Sequence, residues 1–103
     1  MPQPTAYAGP NMDGLAESVT GDGFTGWIIN RDHPKLNVTV ELYDGTRIIG
    51  GAVSGAIRAD GTHDFRIAIP PPYHDGQLHD FNLRFGGTAT ILNQASATLS
   101  CDP

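Results

Sequence analysis

The chain has 103 residues, enough to close one hydrophobic core and to form one domain. Its composition, 39% hydrophobic and 17% charged with 13 Gly and 8 Pro, is that of a turn-rich β protein and excludes a coiled coil or a wholly disordered chain. The formal charge of -5 repels phosphate and the six Lys and Arg residues are scattered, which excludes a nucleic-acid footprint and an anionic membrane surface as partners.

Residues 1–11, with Pro2, Pro4, Gly9 and Pro10, read as a flexible arm or interdomain linker, residues 12–100 as the folded module and residues 101–103 as a tail. Asp13 to Val19 is sparse in apolar residues and reads as a short edge strand ending at Gly21-Asp22-Gly23. A strongly apolar strand, Phe24 to Asn30, follows and holds the only tryptophan, Trp27; it stops at Asn30-Arg31-Asp32-His33-Pro34. From Leu36 to Tyr43 the chain alternates, so Val38, Val40 and Leu42 face inward while Asn37, Thr39, Glu41 and Tyr43 face water.

Asp44-Gly45 supplies the positive φ angles of a tight hairpin turn. The next strand, Arg47 to Val53, contains Gly50-Gly51, the mark of a bulge or a close backbone approach. After Asp60-Gly61, His63 to Ile69 presents Phe65, Ile67 and Ile69 inward, until Pro70-Pro71-Pro72 ends the ladder. Asp75-Gly76 leads into a strand with Phe81, Leu83 and Phe85 inward, and Thr88 to Leu99 predicts one or two further strands.

Seven or so short strands at this spacing predict an all-β fold, a single antiparallel immunoglobulin-like β-sandwich. The expected core is Phe24, Ile28, Val38, Val40, Leu42, Ile48, Phe65, Ile67, Ile69, Phe81, Leu83 and Phe85. The lone Cys101 closes no internal disulfide and has no Cys partner for zinc, so hydrophobic burial carries the fold. No apolar run approaches the roughly 20 residues of a membrane span, and Met1-Pro2-Gln3-Pro4 lacks the basic and apolar regions of a signal peptide.

The order of several short motifs resembles a family of small Gly-Trp β-sandwich accessory modules. The residues that carry it are Asp13-Gly14-Leu15, Gly23-Phe24-Thr25-Gly26-Trp27-Ile28, Asp32-His33-Pro34 and Val38-Thr39-Val40-Glu41-Leu42-Tyr43-Asp44-Gly45. His63-Asp64-Phe65, Ile69-Pro70 and Asp75-Gly76-Gln77-Leu78-His79 continue the match, which covers about residues 13–85. The chain departs from the pattern between Ser54 and Gly61, where only Arg58-Ala59-Asp60 remains of a longer connection. Such modules stand beside bacterial glycosyltransferases and in secreted or cell-surface proteins. The resemblance therefore implies a non-catalytic role near glycans, extracellular or at the cell surface if the parent protein is exported.

Candidate ligand-binding residues are the aromatics and their polar neighbours. Trp27 and Tyr43 can stack on sugar rings, although a single Trp in a small sandwich also serves as a packing residue. Glu41 and Thr39 share the wet face of Tyr43, and Tyr73 with His74 can form a rigid lip after the three prolines. His33, His63, His74 and His79 lack metal-ligand spacing, and Asp60 and Asp64 flank a turn without the other donors of a calcium loop; no metal and no cofactor is expected. Ser54 lacks the strand-turn-helix context of a nucleophile, and Asp32 with Glu41 reads as two turn and surface acids rather than a glycosidase pair.

Two functions remain. The first is a non-catalytic module that binds a polysaccharide for a larger protein; the second is a structural or protein-docking sandwich that meets neighbouring domains, with Ile48 to Val53 as a possible open edge.

Overall fold

Local alternation and glycine-bearing turns divide the chain into seven strands. The structure, a computed structural model, describes residues 11–103; of the arm expected over 1–11, residues 1–10 lie outside the described residues, and the Asn11 carbonyl accepts the Arg31 N–H. The strands are β1 (Met12–Thr20), β2 (Gly23–Asn30), β3 (Thr39–Asp44), β4 (Arg47–Val53), β5 (His63–Ala68), β6 (Leu78–Phe85) and β7 (Ile91–Ser100), with one 3-10 turn at Pro71–Tyr73. They form one continuous sheet in the order β4-β3-β6-β7-β1-β2-β5, curled into a near-barrel.

The sheet is mixed, which corrects the expectation of a purely antiparallel one. Most neighbours are antiparallel, but β1 runs parallel to β7 with Leu15 opposite Asn93. Strand β7 is itself irregular. At Gln94 the backbone takes a left-handed φ of 56°, and the inward positions step from Leu92 to Ala95 instead of every second residue. Strand β6 pairs with β7 on both sides of Gln94, Arg84 opposite Ile91 and Asn82 opposite Ser96 with the register shifted between them, while Asn93 meets β1 on the other edge.

The first strand is likewise not an edge: β2 flanks β1 on one side and β7 on the other. Its inward positions, Gly14 and Ala16, are small, and a bulge between Ala16 and Ser18 then brings Val19 to the core. Hence its apolar pattern looks weak although it lies mid-sheet.

Strand β2 is crossed closely from both sides. A Cβ on Gly26 would lie 1.9 Å from the Leu15 carbonyl oxygen of β1, and one on Gly23 would lie 2.2 Å from the Ile67 carbonyl oxygen of β5. Glycine at these positions lets both neighbours approach.

The enclosed core matches the inward parity read from the sequence, with Phe24, Ile28, Val40, Leu42, Phe81 and Leu83 at its centre. Ile48 is the correction: it is 52% exposed. The register slips between Leu42, opposite Gly50, and Tyr43, opposite Ile48, so the bulge turns Ile48 outward and leaves Ile49 against the core. Val38 is buried ahead of β3, its N–H donating to Ser54 Oγ at 2.8 Å, whereas Leu36 stands exposed in the preceding loop. Cys101, which begins the segment read as a tail, is wholly buried, and its carbonyl accepts the Gly76 N–H.

The two ends of the sheet meet at one corner. After β4 the chain runs beside the start of β5, with Gly55 N–H donating to the Asp64 carbonyl, Asp64 N–H to Ala56, and Arg58 N–H to Thr62. His63 anchors the same corner: its buried ring contacts the Pro34 carbonyl through Nε2 at 2.7 Å, which makes Nε2 the donor.

Two expected outcomes test this packing by chemical or thermal unfolding. Phe65→Ala and Phe81→Ala each lose roughly 3 to 5 kcal/mol, the usual cost of emptying an aromatic from a core. Gly26→Ala loses about 3 kcal/mol despite adding one methyl, because the new atom meets backbone that cannot step aside; wild-type stability in that variant would disprove the close approach of β1.

Candidate functional site

The parity of β3 carries Tyr43, Glu41 and Thr39 to the outer face of the β4-β3-β6-β7 half of the sheet, as expected. Tyr43 is opposite Asn82 and Glu41 opposite Arg84 on β6. The inward run Phe81, Leu83 and Phe85 forces Asp80, Asn82 and Arg84 outward onto the same face.

These side chains form a connected array. The Arg84 guanidinium carbon lies 3.9 Å from the centroid of the Tyr43 ring, a cation–π contact. Arg84 Nε donates to Asn82 Oδ1 at 2.9 Å, and both Arg84 Nη2 and Asn82 Nδ2 donate to the Gly45 carbonyl. Glu41 Oε1 accepts the Gly87 N–H at 3.0 Å and a long contact from the Tyr43 hydroxyl at 3.5 Å. Each planar group is therefore held in place before any ligand arrives. Beside the array, Asp80, Asn82, Ser96 and Thr98 line a shallow groove of about 220 Å³ between β6 and β7.

Trp27 is elsewhere. It is half-buried on β2, opposite Leu15 of β1 and Asp64 of β5, and strands β6, β7 and β1 separate β2 from β3. Trp27 and Tyr43 thus cannot form one platform. Tyr73 and His74 sit at the 3-10 turn, where Tyr73 packs partly into the core and edge-on to His79 at 5.4 Å. The His74 ring nitrogens contact the Ile69 carbonyl at 2.9 Å and the Asp102 carbonyl at 3.2 Å, tying the turn to the end of β5 and to the C-terminal residues. Arg84, Asn82, Asp80, Ser96 and Thr98 were not singled out from the sequence, although the alternation of β6 already turned its three polar residues outward.

Other polar clusters are occupied by internal partners. A cavity of about 430 Å³ at the corner between β4 and β5 is lined by Glu17, Val53, Arg58, Asp64, Phe65 and Arg66 among others. Arg58 there donates through Nη1 and Nη2 to Glu17, through Nε to Asp64 and through Nη2 to the Gly26 carbonyl. The Glu17 carboxyl is held below its ordinary pKa by that guanidinium. Asp60 Oδ1 accepts both the N–H and the hydroxyl of Thr62, closing its turn. Ser54 Oγ accepts from Val38 and donates to Asn37 Oδ1. Among the described residues no group of three or more His, Cys, Asp or Glu is disposed to hold a metal ion.

His79 lies between two carboxylates, with Nδ1 2.8 Å from Asp44 Oδ2 and Nε2 3.0 Å from Asp75 Oδ1. Hydrogen bonding to Asp75, then to Asp44, holds its pKa above the ordinary histidine value. The Asp75 carboxyl is held low, first by the Gln77 N–H and then by His79.

No protein-family model, no curated protein and no solved structure matches this chain. Among the described residues no helix is long and apolar enough to cross a membrane.

The sign of the His79 effect follows from linkage. A pKa raised by folding stabilises the protein fully below the unfolded value, near 6.5, and that contribution disappears as pH rises through the folded value. The melting temperature of the wild type should therefore exceed that of His79→Gln most near pH 6, and the gap should narrow toward pH 9. A gap independent of pH over that range would show that His79 acts by packing alone.

Proposed function

We propose that this chain is a non-catalytic, carbohydrate-binding accessory module, with the outer face of β3 and β6 as its polysaccharide-binding surface. The observation that carries the reading is the Tyr43–Arg84–Asn82–Glu41 array, a half-buried aromatic fixed among planar hydrogen-bonding groups on an open sheet face. Sugars are recognised by that combination, an apolar ring face for their C–H groups and rigid donors and acceptors for their hydroxyls. Arg84 covers one face of the Tyr43 ring. On β4, Ile48 stands opposite Tyr43 on the same outer face, and Gly51, opposite Glu41, contributes no side chain, so the open part of the face lies over Glu41. The parent we infer is a larger bacterial glycan-related or surface protein, as the Gly-Trp motif order suggests.

The finer fold we propose is immunoglobulin-like. With β1, β2, β3, β5, β6 and β7 in the places of strands A, B, C, E, F and G, the neighbours A-B-E and C-F-G follow the immunoglobulin order, and β4 takes the C′ place. A second reading, protein docking, is favoured by the exposed Ile48, Val53 and Ile57 along and just beyond β4.

The expected outcome for the glycan reading is that Tyr43→Ala and Arg84→Ala each weaken polysaccharide binding by roughly 1 to 3 kcal/mol in affinity electrophoresis, with little change in melting temperature. Trp27→Ala should leave that binding intact. If the wild type is retarded by none of a broad panel of polysaccharides, the reading fails.

A further inference from the structure

Strands β4 and β5 are the two ends of the sheet, yet they face each other along a seam that is pinned at both ends. At one end Gly55 N–H donates to the Asp64 carbonyl and Asp64 N–H to the Ala56 carbonyl. At the other, Pro70 lies against Gly50, where a Cβ would stand 3.8 Å from Pro70 Cγ. Between these pins, among the described residues, no backbone hydrogen bond joins β4 to β5. The cavity of about 430 Å³ opens there, with Val53 on one side and Phe65 and Arg66 on the other.

Alternation shows where the unmade bonds point. Ser54 N–H donates to the Val38 carbonyl, so Ala52 and Gly50 also turn their backbone groups toward β3, and Gly51 and Val53 turn theirs toward β5. Asp64 bonds away from β2, so Arg66 and Ala68 turn theirs toward β4 while Phe65 and Ile67 bond β2. Stepping along both strands from Gly55 and Asp64 in antiparallel register sets Val53 opposite Arg66 and Gly51 opposite Ala68. In each pair an N–H meets a C=O in both directions, so complementary groups stand in register without being bonded.

We propose that this seam is a zipper: β4 and β5 close through the Val53·Arg66 and Gly51·Ala68 pairs to complete the barrel, and the present structure is the open state. Side chains do not obstruct closure. The inward residues of β4 there are Gly50 and Ala52, which come to lie beside the buried Ile69 and Ile67, while Val53 and Arg66 project outward. All four pairing residues are exposed, so water serves their backbone groups in the open state and exchanging it for protein partners changes the free energy little. The two states are therefore close in energy and interconvert on the microsecond-to-millisecond scale of collective motions. The zipper uses the seam and not the face of β3 and β6, so it stands apart from the glycan reading.

The double variant Val53→Cys, Arg66→Cys tests it. Closure brings the Cα atoms of a bonded antiparallel pair to about 5.5 Å, within the span of a disulfide. This pair should cross-link within the chain under mild oxidation, the native Cys101 being wholly buried, and the cross-linked form should protect the Gly51 and Ala68 amides from hydrogen exchange about tenfold or more. Val53→Cys with Ala68→Cys, out of register, should not cross-link. In the unsubstituted protein, NMR relaxation dispersion should show one common exchange process at the Gly51, Val53, Arg66 and Ala68 amides. An in-register pair that stays reduced, equal cross-linking of the out-of-register pair, a cross-linked form without the added protection, or flat dispersion at the four amides would overturn the proposal.

Discussion

Everything in this fold depends on β2 being approached closely on both flanks while it fills the core. Gly23 and Gly26 admit the Ile67 and Leu15 carbonyls, and between and beyond them Phe24 and Ile28 are wholly buried. Backbone contact and side-chain packing are thus satisfied by one eight-residue strand. A larger residue at either glycine would push away β1 or β5, and with β1 would go the link to β7 that joins the two halves of the sheet.

Strand β7, on the far side of that link, is irregular. One strand supplies rungs to an antiparallel neighbour and to a parallel one, and these have different hydrogen-bond spacings. The left-handed Gln94 marks where the register to β6 shifts, with Leu92 and Ala95 buried on either side of it. Small residues at Gly14 and Ala16 let β1 lie mid-sheet without bulk of its own.

The polar chemistry divides in the same way. Inside or near the corner, charged and hydroxyl groups are consumed by the fold: Arg58 by Glu17 and Asp64, Ser54 by Val38 and Asn37, His63 by Pro34. On the outer face of β3 and β6, Tyr43, Glu41 and Arg84 are fixed by one another and by the buried Asn82 while staying partly open to solvent, which is the arrangement a recognition surface needs. Thus the candidate surface is defined by side chains whose fixing partners, the Gly45 carbonyl and the Gly87 N–H among them, lie on or beside the same face.

The amino-acid order alone determined the all-β class, the turns at Asp44-Gly45 and Asp60-Gly61, and the inward faces of β3, β5 and β6, because side-chain alternation is a local property with a period of two. It also placed Thr39, Glu41 and Tyr43 on one wet face. Only the tertiary structure decided what lies beside them. That β6 packs next to β3, bringing Arg84 over Tyr43, and that three strands stand between β3 and β2, separating Trp27 from it, are facts of long-range pairing with no local signature. The bulge that turns Ile48 outward, the parallel β1–β7 contact and the burial of Cys101 belong to the same class: each is set by register between distant segments, where a shift of one residue reverses every face.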